Sequence, residues 1–118
     1  MKAFYFEEHG ERDVLQYGDL PDLKNKENHV LIKVEACALN HLDVWIRKGW
    51  PGLNLEMPHI GGSDVSGIVV EGNGSWKEGD KVVVDPGISS TEDSWTEKGL
   101  DSMSPGYKIL GEHISGGC

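Results

Sequence analysis

The feature that most restricts the fold is a change of hydrophobic period at Leu39. Upstream, Val30, Ile32, Val34 and Ala36 alternate with Leu31, Lys33 and Glu35, the period of two of a half-buried strand. Downstream, Leu39, Leu42 and Ile46 are spaced for one face of a helix. Asn40 and Asp43 read as an N-cap with an acid in the N3 place. Gly49 and Pro51 stop the helix after about two turns.

Everything else is short and rich in turns. Lys2 to Glu7 and Val14 to Leu20 read as extended pieces, the second closed by Pro21-Asp22, and Lys24 to Asn28 as a polar loop. Gly61-Gly62 opens a unit in which Val65, Ile68, Val69 and Val70 predict a buried strand. Asn73-Gly74 and Glu78-Gly79-Asp80 are turn signals, and Lys81 to Asp85 is a strand ended by Pro86-Gly87. Ile88 to Ser104 is polar and aperiodic, a long excursion, and order returns at Tyr107 to Leu110. The 16 glycines in 118 residues are roughly twice the ordinary usage, which fits tight turns between short strands. The expectation is a mainly β domain, a partly open barrel with one or two short helices.

Composition excludes several partners. Hydrophobic residues at 37 % support a packed core. A formal net charge of −9, with acid and base interspersed, argues against a nucleic-acid backbone or an anionic membrane surface. No segment approaches the ~20 apolar residues of a membrane span, and the apolar start is too short for a signal peptide, so a cytoplasmic protein is expected. Cys37 and Cys118 give no disulfide framework and too few thiolates for a structural zinc site. Cys37, near a strand end, reads as an inert packed thiol. His9, His29, His59 and His113 form no sequence-local ligand set. Trp45 and Trp50 read as core or cleft wall. No G-x-G-x-x-G follows a predicted strand, and neither a phosphate-binding G-x-x-x-x-G-K nor a G-x-S-x-G nucleophile elbow is present.

Four segments in order carry more specific information: Ala36 to Gly49 (Ala-Cys-Ala-Leu-Asn-His-Leu-Asp-Val-Trp-Ile-Arg-Lys-Gly), Gly62-Ser63-Asp64-Val65-Ser66-Gly67, Glu78-Gly79-Asp80-Lys81-Val82, and Ile109 to His113 with Gly116-Gly117. Together they resemble the medium-chain dehydrogenase/reductase family of zinc alcohol dehydrogenases and quinone oxidoreductases. The resemblance implies that residues 1–118 are the GroES-like, substrate-side N-terminal domain. The Rossmann domain that binds NAD(H) or NADP(H) would then lie outside this chain. By itself the chain is expected to be inactive and to bind no cofactor, and the full-length protein is expected to be a homo-oligomer.

The departures from the family pattern point to the chemistry. Zinc-dependent members resembling this chain have Cys in place of Asn40, a hydroxyl residue in place of Leu42, and Gly-His-Glu in place of Gly62-Ser63-Asp64. An amide and a hydroxyl are poor zinc ligands, so no zinc is expected. Four structural zinc thiolates of close relatives fall at Ser90, Asp93, Thr96 and Ser104, which leaves a loop that must hold its shape without metal. The implied site residues are Asn40, Ser63 and Asp64 for the chemistry and His41 for the cofactor pyrophosphate at the helix start. For Asn40 and Asp43 a purely helix-capping role stays open, and Asp64 has the alternative of holding its own loop. The implied activity is reduction of quinones or α,β-unsaturated carbonyls by a nicotinamide cofactor. The alternatives are zinc-dependent alcohol oxidation and a non-catalytic GroES-like binding module; the partner is a small carbonyl, quinone or alcohol.

Overall fold

Alternation in the first six residues sets the first packing face. In the computed structural model, which describes residues 1–89 and 92–118, strand β1 (Lys2–Phe6) turns Ala3 and Phe6 into the interior and leaves Phe4 half exposed. β1 pairs antiparallel with β2 (Gln16–Asp19) on one edge and with β4 (His59–Ile60) on the other. A second sheet has β5 (Asp64–Glu71) at its centre, flanked by β3 (Leu31–Ala38) and β6 (Lys81–Val83), again antiparallel. Of the expected buried set on β5, Val65 and Val69 are buried, whereas Ile68 is partly buried and Val70 is exposed, because successive side chains alternate between the two faces of the sheet. β7 (Gly87–Ser89) and β8 (Tyr107–Ile109) form a two-stranded ribbon. The helix α1 (His41–Lys48) follows β3 directly and ends at Gly49, whose φ of 72° lies in the left-handed region that glycine occupies freely.

The domain is mainly β with one α-helix, as expected, and its sheets stay open: no closed barrel forms among the described residues. No helix among them is long and apolar enough to cross a membrane.

The periodic segments give the elements but not all of their buried faces. Val34 and Ala36 are exposed because that stretch of β3 borders an open cleft rather than a second sheet. Leu39 precedes the helix, is 69 % exposed and lines the same cleft, whereas Ile46, on the turn that packs inward, is fully buried. Trp45 and Trp50 are exposed and line no described cavity, contrary to the expectation of core or cleft wall. β4 and β7, of two and three residues, are too short to register as a period.

This division makes a test. Ile46→Ala should cost about 2–5 kcal/mol of unfolding free energy through lost burial and the cavity left behind. Leu39→Ala should stay within about 0.5 kcal/mol. Urea unfolding of the two variants measures both, and equal losses would contradict the assignment of the inward face.

Candidate functional site

The geometry is organised by one carboxylate. Asn40 is the N-cap of α1 and Asp43 its N3 residue, and the two form a capping box. Asp43 Oδ2 accepts the Asn40 backbone N–H at 2.6 Å. Its other oxygen, Oδ1, accepts the Gly62 backbone N–H at 2.7 Å. Asp43 therefore ties the helix start to the glycine turn that leads into β5. Gly62 has a φ of 89°, and a Cβ there would collide with the Sγ atoms of Cys37 and Cys118, so the position has room only for glycine.

Of the expected site residues, the structure brings Asn40 and Asp64 together: Asn40 Nδ2 donates to Asp64 Oδ2 at 2.9 Å. Because a carboxylate only accepts, the amide nitrogen has to face Asp64. Ser63 sits beside this pair in sequence but is 5 % exposed, and its hydroxyl has no hydrogen-bond partner among the described residues. His41 is exposed in the first turn of α1, its ring edge-on to Trp45 at 4.9 Å, and it is not part of the cleft wall. The cleft itself encloses about 760 Å³. Phe4, Phe6, Leu15, Val34, Leu39 and Val44 make it largely apolar; Asn40, Asp43 and Gly61 bring polar groups to it, and Lys2, Arg12, Glu35 and Arg47 also line it.

Two buried polar residues escaped the sequence. Arg47 is 6 % exposed, and its Nη1 donates to the Gly10 carbonyl at 2.6 Å while the Gly10 N–H returns to the Arg47 carbonyl at 2.9 Å. A basic residue in the last turn of a helix is ordinarily solvated, so nothing in the local pattern marked it. His59 lies in the core, with Nε2 3.1 Å from the Gly111 carbonyl and its ring 5.4 Å from Phe6. Burial holds its pKa below the usual imidazole range, opposed by the Gly111 hydrogen bond.

The reading of the cysteines needs correction. Cys37 is no isolated thiol: it is disulfide-bonded to Cys118, 81 residues away, with Cα atoms 5.6 Å apart. The partner arrives through backbone pairing of the last residues. Gly117 N–H donates to the Gly62 carbonyl at 3.1 Å, Cys118 N–H to Gly61 at 3.2 Å, and Phe4 N–H to Cys118 at 3.0 Å. Such a long-range pairing leaves no local sequence signal.

In the polar excursion, Ser90 lies outside the described residues, and the other three positions, where close relatives carry structural zinc thiolates, form a hydrogen-bonded hub. The Asp93 carboxylate accepts from Ser104 Oγ at 2.6 Å, from Trp95 N–H at 2.8 Å and from Thr96 N–H at 3.1 Å. The Asp93 N–H in turn donates to Thr96 Oγ1 at 2.9 Å. The Ser104 hydroxyl, foremost, and the two backbone N–H groups hold the Asp93 carboxyl below the usual carboxylate range. A hydroxyl, a carboxylate already engaged by three donors and a second hydroxyl do not suit zinc, which prefers thiolate and imidazole. The same holds at the cleft, where the Asn40 amide and Ser63 hydroxyl are neutral, hard donors. No cluster of three or more His, Cys, Asp or Glu placed to hold a metal occurs among the described residues.

Open antiparallel sheets, with one short helix starting at the mouth of an apolar cleft, place this chain among the GroES-like domains. It belongs to the alcohol dehydrogenase GroES-like domain family, whose profile matches residues 26–118. It is similar to the quinone oxidoreductase of Lama guanicoe, 32 % identical over 116 residues that cover 95 % of this chain and 34 % of that protein. The quinone oxidoreductase of Sus scrofa is 45 % identical over 87 residues, covering 71 % of this chain and 26 % of that protein. Among solved structures it is similar to an NAD-dependent alcohol dehydrogenase, with a TM-score of 0.91 and 40 % identity, over 98 % of this chain and 35 % of that one. The chain thus spans between about a quarter and a third of the length of these relatives.

The hub gives a pH-dependent prediction. Because the Asp93 pKa is depressed in the folded state, its contribution is present above the unfolded carboxylate value of ~3.9 and is lost as pH falls through the folded value. Asp93→Asn should therefore melt a few degrees below the wild type at neutral pH, and the gap should close in strong acid. A gap that stays constant from neutral to acid pH, followed by circular dichroism, would contradict a charge-held loop.

Proposed function

We propose that this chain is the substrate-side domain of an NAD(P)-dependent oxidoreductase that works without zinc and reduces quinones or α,β-unsaturated carbonyls. In this reading, residues 1–118 form one GroES-like domain, and the Rossmann domain follows in the complete, homo-oligomeric, cytoplasmic protein. The observation that carries it is the Asn40–Asp64 hydrogen bond beside the apolar cleft. An oriented amide stands where zinc-dependent members place a thiolate ligand. The names of the similar quinone oxidoreductases support the same branch.

The chemistry follows from what these groups offer. The nicotinamide cofactor, when bound, supplies the hydride. Addition to a quinone or an enal pushes negative charge onto the substrate oxygen, which hydrogen-bond donors stabilise. Asn40 has two amide hydrogens, and Asp64 takes one. The other serves the substrate oxygen, with Asp64 acting as the positioning residue. The Ser63 hydroxyl is unpartnered but buried and off the cleft wall, so it would serve as a second donor only if the Gly62 turn uncovered it. His41, exposed in the first turn of α1, is the side chain that would meet the cofactor pyrophosphate. Oxidation of a simple alcohol instead requires stabilising an alkoxide, the task of a Lewis acid, and Leu42 has no hydroxyl to relay the proton.

The likeness to an NAD-dependent alcohol dehydrogenase favours a second reading, zinc-dependent alcohol oxidation, and one set of assays separates the two. With the complete protein, quinone or enal reduction should survive a chelator, and ethanol should be a poor substrate. Asn40→Ala should lower turnover about 10²–10³-fold, well beyond what a cap loss of about 1 kcal/mol in stability explains. Efficient ethanol oxidation abolished by a chelator would establish the zinc reading instead.

A further inference from the structure

The cysteine pair lies where its oxidation state acts on the site. Cys37 is the penultimate residue of β3, next to Ala38, which pairs with Asp64, and Cys118 lies in a segment hydrogen-bonded to Gly61, Gly62 and Phe4. The two sulfurs pack against Gly62 so tightly that a Cβ there would strike both. Gly62 is the residue whose N–H holds Asp43, and Asp43 holds the backbone of Asn40. From sulfur to site amide the path is a continuous set of contacts: Cys37–Cys118, Gly62, Asp43, Asn40. The pair is also reachable. Both cysteines are only partly buried and both line the cleft, together with Gly61 and Gly117.

We propose that Cys37 and Cys118 are a reversible thiol–disulfide exchange site that sets how firmly the Gly62 turn, and with it Asn40, is held. The oxidant is a small-molecule disulfide. One cysteine thiolate attacks a sulfur of that disulfide, forming a mixed disulfide and releasing one small thiol. The second cysteine thiolate then attacks the protein sulfur and releases the other small thiol. In balance, two cysteine thiols are oxidised to one intramolecular disulfide, and one small disulfide is reduced to two thiols that carry away the two protons. The oxidised bond closes a loop of 81 residues in separation and so constrains the unfolded chain as well as the turn. Reduction replaces the bond with two thiols, whose sulfurs no longer fit at bonding distance over Gly62, and the turn loosens. The consequence does not depend on what the cleft binds.

The test equilibrates the 118-residue chain in buffers spanning reduced to oxidised glutathione. Free thiols are counted by alkylation and mass spectrometry, and hydrogen exchange is followed at two amides. Gly62 reports on the turn. Val69, whose N–H donates to the Asp80 carbonyl at 2.9 Å, is the remote control. A single two-electron transition within one chain is expected, with Gly62 exchange at least about tenfold slower in the oxidised form and Val69 changing no more than global stability requires. Cys118→Ser and Cys37→Ser should each abolish the transition and leave Gly62 at its reduced-state rate. Three results would each overturn the proposal: no oxidation at any ratio, oxidation that links separate chains, or oxidation that leaves Gly62 exchange unchanged.

Discussion

The site depends on the Asp43 carboxylate acting in two directions at once. One oxygen takes the Asn40 N–H and the other the Gly62 N–H, at 2.6 and 2.7 Å. Charge-assisted bonds of this kind are about twice as strong as neutral ones. They also satisfy a helix-start donor that would otherwise need water. Two segments 19 residues apart are fixed against each other before any ligand arrives. Asn40 and Asp64 then meet at 2.9 Å because their backbones are already in register, Ala38 paired with Asp64 across β3 and β5. Preorganisation of this kind is what lets a neutral amide act on developing charge.

A similar principle holds the polar excursion. Asp93 gathers two backbone N–H groups and the Ser104 hydroxyl, so the loop is shaped by donors converging on an anion rather than by ligands converging on a cation. The difference matters for durability. A metal-held lobe opens when the metal is chelated, whereas a carboxylate-held loop opens when the carboxylate is protonated. Both the cleft and the excursion therefore place an acid that accepts backbone N–H groups at a structural junction.

Much of this was legible in the sequence, and the rest was hidden for physical reasons. The period change at Leu39 located β3 and α1, and the Asn40–Asp43 spacing gave the capping box, because both are local patterns with fixed geometry. The second arm of Asp43, to Gly62, is long-range and was not visible. The burial of β3 was misread for a related reason. Alternation reports which residues share a face, but Val34 and Ala36 look into a cleft, and only tertiary structure decides what covers a face. Arg47 and His59 are buried through backbone carbonyls of Gly10 and Gly111, partners that carry no side-chain signature. The disulfide is the clearest case. Two cysteines separated by 81 residues cannot be paired by spacing, and only the strand-like docking of residues 116–118 brings them together.

The claim that one carboxylate joins the helix start to the glycine turn can be read directly by nuclear magnetic resonance. Scalar couplings through a hydrogen bond pass from an amide nitrogen to the carbon that bears the accepting oxygen. In the labelled chain, the backbone nitrogens of Asn40 and Gly62 should both couple to the same side-chain carboxyl carbon, that of Asp43. Coupling from only one of them, or from Gly62 to another carboxyl or carbonyl carbon, would contradict the account.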